Sequence, residues 1–272
     1  MSAASPRRVI LCADDFGLNQ PASLAIIELM AKGAISAASC VVDGACCEPL
    51  ARTLIEAAQG RSVGLHFNLT ESPGAPRMKL AYWLLATYIA RRVPGGSLEA
   101  EIDRQLGRFE DLFGRAPDFV DGHEHVHQLP IVRDALVRRM QRRYGCSVGI
   151  RSTVAREWRG VKAFVIERLG APAMLELARA AGLAHNSDFA GVYNLSVSSG
   201  YPDRMERWLR DIKDFGLVMC HPEADGATAA PSPARLAEYQ FLGSPVWPAL
   251  RARLSIELTP FTPATVNRAQ PS

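Results

Sequence analysis

The chain has 272 residues, of which 48% are hydrophobic and 22% are charged, and its formal net charge is +3. This length and composition are typical of a soluble globular protein with one large core. The basic residues are scattered, which argues against a nucleic-acid-binding protein, and no apolar run approaches the ~18 residues that cross a membrane.

Short apolar runs alternate with helical patterns along the whole chain. The eight predicted strands are, in chain order, Val9–Ala13, Ala38–Val42, Ser62–Asn68, Phe119–Gly122, Ser147–Ile150, Gly191–Leu195, Leu217–Cys220 and Leu254–Leu258. The clearest predicted helix is Leu98–Phe113, whose apolar residues recur at helical spacing. Repeated strand–helix units predict an α/β fold with a mostly parallel sheet, and seven or eight of them favour a single irregular TIM-like (β/α) barrel.

Two segments, at about 71–96 and 154–189, are long for loops. Insertions after strands in such barrels usually build lids and substrate pockets, so we expect lid-like insertions here. Trp83, in the first insertion, is a candidate for stacking on a sugar ring or contacting a lipid. The alternative is that both insertions pack on the barrel. We expect residues 1–272 to form one catalytic domain, with 264–272 as a frayed tail.

The six cysteines have neither a CxxC pattern nor the spacing of a small disulfide-rich scaffold. Most lie in apolar runs, where a free cysteine acts as a small hydrophobic residue. The N-terminus has no apolar stretch of signal-peptide length. These features predict a reduced, cytoplasmic protein.

Two adjacent carboxylates, Asp14 and Asp15, follow the first predicted strand. Like charges at the end of a buried strand are costly, and a cation held by them and by other ligands would offset that cost. If the strand continues, the two side chains point to opposite sides and therefore have different roles. The alternative is that the pair caps the next helix, predicted at Asn19–Lys32.

Five of the six histidines lie at ends of predicted strands. They are His66, His123, His125, His127 and His221. One Asp with two His is a common open metal site. His66 ends the third strand, and Asn68 would share its face. If the segment after the fourth strand is extended, His123, His125 and His127 share a face but span ~13 Å, so one binds the ion and the others support it or face the substrate.

Other polar residues near strand ends have several possible roles. Asp121 is the natural partner for the second nitrogen of a ligand imidazole. Arg151 would pair with Asp14, bind sugar hydroxyls or be a surface residue. Arg235 and Glu238 have the spacing of an ordinary ion pair within a helix.

Four motifs, ADDFG, GLHFNLT, DGHEHVHQLP and VMCHPE, occur in this order. With them, the chain from about residue 9 to about residue 258 resembles the YdjC-like carbohydrate deacetylase family. The resemblance implies a distorted TIM-like barrel, related to that of polysaccharide deacetylases. It assigns Asp15 and His123 to a metal and Asp14 to general-base catalysis. By similarity to a late-chain histidine of polysaccharide deacetylases, it assigns His221 to protonation of the leaving amine.

We therefore expect a metal-dependent hydrolase that removes the N-acetyl group from an N-acetylated amino sugar, either an oligosaccharide or a lipid-linked glycan. One divalent ion would lie on Asp15, His66 and His123. Histidine-rich ligation favours Zn²⁺, whereas the family is commonly associated with Mg²⁺. A homodimer is compatible with the sequence.

Two alternatives to this function stay open. The first is another metal hydrolase, an amidohydrolase or phosphoesterase, but such enzymes usually open with HxH on the first strand, where this chain has two aspartates. The second is a non-catalytic carbohydrate-binding protein that has lost its enzymatic activity. The presence of Asp14, Asp15 and His66 argues against such a loss.

Overall fold

The central strand of the molecule, β1 (Arg7–Phe16), is buried from Val9 to its end. The computed structural model describes residues 5–71, 78–93, 95–196, 199–225 and 231–266. Within these residues the further strands are β2 (Ala37–Cys40), β3 (Ser62–Phe67), β4 (Phe119–Gly122), β5 (Gly149–Ile150), β6 (Phe189–Ala190), β7 (Gly216–Cys220) and β8 (Ile256–Leu258). All recorded strand pairs are parallel.

The strands form one sheet in the order β5-β4-β3-β2-β1-β7-β6. The eighth strand, β8, pairs with Arg7–Val9 at the start of β1, whereas β2 pairs with Cys12–Phe16. No pairing of β5 with β6 is recorded in the described residues, so the sheet is a partly open barrel. The predicted α/β fold with an irregular (β/α) barrel is confirmed. Because the strands are parallel, their carboxyl ends meet at one edge, where such folds place functional residues.

Helices connect the strands and cover the sheet. They are α1 (Gln20–Ala31), α2 (Cys47–Ala58), α3 (Leu80–Leu84), α4 (Gly95–Phe113), α5 (Val132–Tyr144), α6 (Val161–Arg168), α7 (Ala171–Ala180), α8 (Tyr201–Asp211), α9 (Pro233–Leu242), α10 (Val246–Arg253) and α11 (Pro263–Val266). A π-helical turn spans Leu85–Ile89, and a 3₁₀ segment spans His123–Gln128. Asn19 caps α1 by accepting a hydrogen bond from the backbone N–H of Ala22 at 2.8 Å, so the cap is not supplied by the two aspartates.

One predicted strand is displaced. β6 occupies Phe189–Ala190, just before the predicted Gly191–Leu195. Gly191 has a φ of 105°, and a Cβ there would lie 2.2 Å from the carbonyl oxygen of Met219. The chain therefore leaves the sheet at this glycine, and the apolar residues after it are not a strand.

The two insertions contain helices. The first holds α3 and the π-helical turn, and residues 72–77 and 94 within it lie outside the described part. The second holds α6 and α7. The expected frayed tail begins within α11, where Val266 is buried, and residues 267–272 lie outside the described part. In the part of the chain that the structure describes, every helix is too short or too polar to cross a membrane.

Candidate active site

A β-bulge at the end of β1 separates the two acidic side chains. The pairing of β1 with β2 shifts register between Ala13 and Phe16, which gives β1 one extra residue there. Asp15 has a left-handed φ of 72°, an uncommon conformation for a residue with a side chain. The bulge directs the carboxylates of Asp14 and Asp15 toward different partners.

Asp15, His66 and His123 form a triad of side chains that could hold a metal ion, which we call the Asp-His-His triad. Asp15 Oδ1 lies 3.0 Å from His123 Nδ1 and 3.5 Å from His66 Nε2. One ligand atom from each residue lies within 4.8 Å of the others. Asp15 and His66 are buried, and the side chain of His123 is 13% exposed. One carboxylate and two imidazoles suit a divalent metal that keeps further positions for water and substrate.

Asp121 orients His66 within this triad. Its Oδ1 lies 2.6 Å from His66 Nδ1, and Ser39 Oγ donates to the same oxygen at 2.5 Å. With Nδ1 engaged, His66 presents Nε2 to the triad, as metal-ligating histidines do when a carboxylate fixes their tautomer. Burial opposes the charge on His66, but Asp121 and Asp15 raise its pKa to about 10. The triad is thus rich in negative charge, and a bound cation would take the place of the proton on His66.

Arg151 lies buried between two carboxylates. Its Nη1 is 2.6 Å from Asp14 Oδ2, and its Nη2 is 2.6 Å from Asp14 Oδ1 and 2.5 Å from Asp121 Oδ2. Burial raises the pKa of Asp14, but the charge of Arg151 dominates and holds that pKa well below its usual range. Of the three placements expected for Arg151, the structure has the pair with Asp14. Cys12, Asp14 and Asp121 also form a compact cluster, and the guanidinium of Arg151 contacts all three side chains.

The segment from His123 to Gln128 is a 3₁₀ turn, so the expected extended conformation is wrong. Glu124 and His125 have φ values of 50° and 59°, and these left-handed residues break the strand pattern. The three histidines therefore do not share one face. His123 reaches Asp15, and His125 faces the cavity described below. His127 is fully buried, with Nε2 3.2 Å from the carbonyl oxygen of Arg151.

His221 stands at the end of β7 and faces the same cavity. Its backbone N–H donates to Glu238 Oε2 at 2.5 Å, and the hydroxyl of Tyr193 donates to Glu238 Oε1 at 2.6 Å. Burial lowers the pKa of His221 to about 4. Its Nδ1 is buried and has no hydrogen-bond partner in the described residues, which leaves that nitrogen available to a ligand.

Arg235 is a site residue that the sequence did not indicate. The predicted ion pair between Arg235 and Glu238 is wrong, because the Arg235 guanidinium turns to the triad instead. Its Nη1 lies 3.0 Å from Asp15 Oδ2 and 3.3 Å from Glu223 Oε1. The contact with Asp15 is an ion pair without hydrogen-bond geometry, which leaves the buried Oδ2 atom without a hydrogen bond. Only the long-range fold brings α9 to the end of β1, so local spacing is uninformative here.

A cavity of about 360 Å³ joins these side chains. Its polar lining residues include Asp14, His66, His123, His221 and Arg235. The rest of its wall is largely apolar and includes Leu80, Leu129, Ile166, Leu169, Val192, Leu195 and Met219. The cavity can thus hold a ligand with one polar reacting end and an apolar or sugar-ring body.

Asn68 and Trp83 are two of the candidate residues that do not line the cavity. Asn68 is buried, and its Oδ1 accepts hydrogen bonds from the backbone N–H groups of Thr70 and Glu71 at 2.9 and 3.0 Å. Trp83 is 8% exposed, and its indole N–H donates to the carbonyl oxygen of Leu69 at 3.0 Å. This placement favours the packing alternative for Trp83 over sugar stacking.

The sequence pattern of the YdjC-like protein family matches residues 8–253. The chain belongs to this family. A curated relative of this YdjC-like chain, a chitooligosaccharide deacetylase from Klebsiella pneumoniae strain 342, is 30% identical over 232 residues, which are 79% of this chain and 81% of that protein. A chitooligosaccharide deacetylase from Enterobacter sp. strain 638 is 34% identical over 131 residues, covering 46% of this chain and 52% of the relative.

A carbohydrate deacetylase from Mus musculus is 34% identical over 175 residues, covering 58% of this YdjC-like chain and 54% of that protein. The chain thus spans about half the length of several curated relatives that it matches.

Two solved structures have a similar fold. The first is a protein from Enterococcus faecalis V583 that is provisionally described as a cellobiose-phosphate cleavage protein. It has a TM-score of 0.68 at 17% identity, and the match covers 94% of this chain and 98% of that one.

A family 4 acetyl xylan esterase from Clostridium thermocellum, in complex with a cobalt ion, has a TM-score of 0.50 at 12% identity. The match covers 97% of this YdjC-like chain and 93% of the esterase. At these identities the two structural likenesses support the fold alone.

Proposed function

We propose that the protein is a metal-dependent carbohydrate deacetylase, which hydrolyses the N-acetyl group of an N-acetylated amino sugar and releases acetate. The observation that carries this proposal is that Asp14 and His221 line the same cavity as His66 and His123, the two histidines of the Asp-His-His triad, in a YdjC-like chain. The names of the curated relatives, chitooligosaccharide deacetylase and carbohydrate deacetylase, support the same reaction.

Asp15, His66 and His123 would hold one divalent ion. The ligand chemistry fits Zn²⁺ or a similar transition metal, while the family resemblance points to Mg²⁺. When bound, the ion supplies polarisation of the acetamide carbonyl and acidifies a water molecule enough for a weak base to accept its proton. Asp121 keeps His66 Nε2 aimed at the triad, and Arg235 offsets part of the charge on Asp15.

Asp14 is the proposed general base. It does not belong to the triad, so its oxygens are free of the metal, and Arg151 fixes both of them by hydrogen bonds. Because Arg151 lowers the pKa of Asp14, this carboxylate stays ionised at any working pH and is always in the proton-accepting form. The pairing with Arg151 also fixes the direction from which a proton is accepted.

His221 is the proposed general acid, which protonates the departing amine. Its low pKa means that the imidazole is a strong proton donor whenever it is charged. Asp14 and Asp15 both favour that charged form against the effect of burial. Glu238 holds the backbone of His221 in place, so the ring faces the cavity.

A metal-supplemented acetate-release screen tests this function. The substrates are chitooligosaccharides and lipid-linked N-acetylglucosamine, assayed before and after treatment with a chelator. Acetate release that the chelator abolishes supports the proposal, and the preferred substrate identifies the oligosaccharide or the lipid-linked glycan. Binding without acetate release would support a carbohydrate-binding protein. Hydrolysis of phosphate esters or unrelated amides instead would support another metal hydrolase. The cytoplasmic location and the homodimer stay predictions from the sequence.

A further inference from the structure

Exposed apolar side chains are concentrated on the two insertions. Nine large hydrophobic residues are exposed in the described part of the chain, and six of them lie in these segments. The six are Leu85, Ile89, Trp158, Val161, Phe164 and Val165. We call this set the apolar rim. Trp158 and Phe164 lie against each other, with ring centroids 5.7 Å apart. Exposed apolar side chains that lie together mark interaction sites, because monomeric proteins in water rarely expose large apolar patches.

Both insertions that carry the apolar rim also contribute side chains to the wall of the candidate active-site cavity. The first insertion contributes Leu80 to the cavity lining, and the second contributes Lys162, Ile166 and Leu169. Helix α6 is thus divided between two environments: Ile166 faces the cavity, whereas Val161 and Val165 are 70% and 50% exposed. Because one helix carries both the exposed residues and a cavity-lining residue, a surface bound at Val161 and Val165 would lie next to the cavity.

The charges beside the rim indicate what covers it. Arg91, Arg92 and Arg168 are exposed and make no ion pair with other described residues. The acidic Glu157 is already paired with Lys213 at 3.0 Å. Apolar side chains with an exposed tryptophan and flanking arginines suit an anionic lipid surface, where apolar groups enter the acyl boundary and arginines meet headgroups.

A second copy of the chain fits the rim less well. In a symmetric dimer the same patch faces itself, so the unpaired arginines of both copies would be brought together. Like charges brought into contact oppose association. We propose that the apolar rim docks the protein on an anionic lipid bilayer, with the cavity entrance facing the membrane. Docking would give the site access to an amphiphilic N-acetylated sugar, and this role rests on the proposed function. The docking itself does not depend on the proposed function.

Co-sedimentation with lipid vesicles tests the docking. The probes are phosphatidylcholine vesicles with and without phosphatidylglycerol. The wild-type protein should bind the anionic vesicles, and the double variant Val161→Ser/Val165→Ser should lose about tenfold in affinity. Arg91→Gln/Arg92→Gln should lower binding to the anionic vesicles toward the level on neutral ones. The matched control is Ile55→Ser/Val246→Ser, which removes exposed apolar residues outside the rim and should bind as the wild type does.

Several results would overturn the proposal: no vesicle binding by the wild type, an equal loss in the control variant, or a wild-type dimer that the rim variant converts to a monomer. Acetate release from a soluble chitooligosaccharide is measured on the same proteins. This measurement separates a failure of the docking proposal from a failure of the proposed function. The rim variant should keep that activity, because Val161 and Val165 do not line the cavity. Vesicle binding without acetate release from any substrate would leave the docking intact and remove the deacetylase assignment.

Discussion

His66 Nδ1 and Asp121 Oδ1 lie 2.6 Å apart in a buried environment, so one carboxylate fixes the ring whose other nitrogen belongs to the Asp-His-His triad. We expect Asp121→Asn to weaken metal binding by about 10–100-fold, the usual effect of removing such an outer partner. Titration calorimetry with Zn²⁺ measures the change. Asp111→Asn, an exposed carboxylate, is the control and should bind metal as the wild type does. Unchanged affinity in the Asp121 variant would mean that the charge of Asp121 does not contribute to metal binding.

The triad variants Asp15→Ala, His66→Ala and His123→Ala should each lose bound metal and activity together, because each removes one of the proposed protein ligands. Metal analysis of the purified proteins, together with acetate release, checks this. Full metal occupancy in His123→Ala would transfer the ligand role to His125, the other histidine of the 3₁₀ segment that faces the cavity.

Asp14→Asn should keep the metal but lose about 10²–10⁴-fold in turnover, because the amide cannot accept the proton. Arg151 keeps Asp121 as a partner at 2.5 Å, so the variant retains one charge next to the buried guanidinium. Circular dichroism melts and metal analysis establish that the variant is folded and loaded. Wild-type turnover in that folded, loaded variant would exclude Asp14 as the base.

Trp83→Ala should lower the free energy of unfolding by about 3–5 kcal/mol, because the side chain is buried and hydrogen-bonded to the Leu69 carbonyl. KM should stay close to the wild-type value, since Trp83 does not line the cavity. Trp158→Ala is the matched control: its side chain is 70% exposed, and its stability should change by less than about 0.5 kcal/mol. A raised KM with unchanged stability in the Trp83 variant would restore the sugar-stacking hypothesis.

Ionisation of Glu238 should lower the free energy of unfolding as the pH rises. Burial raises its pKa from the ordinary 4.5 to about 7. Between these two values the unfolded chain has lost this proton and the folded chain has kept it, so the free energy of unfolding falls as pH increases. The total effect is on the order of 3 kcal/mol and is complete above the folded-state pKa.

The variant Glu238→Gln removes this titration and isolates it from the buried histidines, whose low pKa values act in the opposite direction over an overlapping range. Tyr193 can turn its hydroxyl from donor to acceptor and so satisfy the new amide. Urea unfolding across the pH range should show the variant gaining stability relative to the wild type until neutrality, then a constant difference. A difference that does not depend on pH would mean that Glu238 is ionised throughout.

The strands and the acidic pair could be predicted from the sequence because they rest on local patterns. Buried apolar runs identified the strands close to where the structure has them, with β6 as the exception, and the ends of those strands indicated Asp14, Asp15 and His66. Parallel strands must bring such ends to one edge, so convergence follows from the topology. The barrel could be predicted because the alternation of strands and helices is also a local pattern.

The parts that the sequence did not predict depend on distant contacts or on unusual backbone angles. Glu124 and His125 take left-handed conformations although neither is a glycine, so the local sequence pattern predicts an extended segment where the structure has a 3₁₀ segment. Arg235 and Glu238 have ordinary helical spacing, yet the fold gives them partners far along the chain in Asp15 and Tyr193. The spacing of two residues within a helix cannot show whether they pair with each other or with residues far along the chain.

The guanidinium of Arg151 is a permanent counter-ion for Asp14, whereas the counter-ion proposed for the Asp-His-His triad is an exchangeable metal ion. A chelator that removes a metal from the Asp-His-His triad therefore cannot disturb the hydrogen bonds that align Asp14. The metal-free protein should keep its base in position, and its activity should return as fast as metal enters, without any step of refolding. The same fixed cation lies within the cluster of Cys12, Asp14 and Asp121, so we expect the centre to bind one metal ion rather than two.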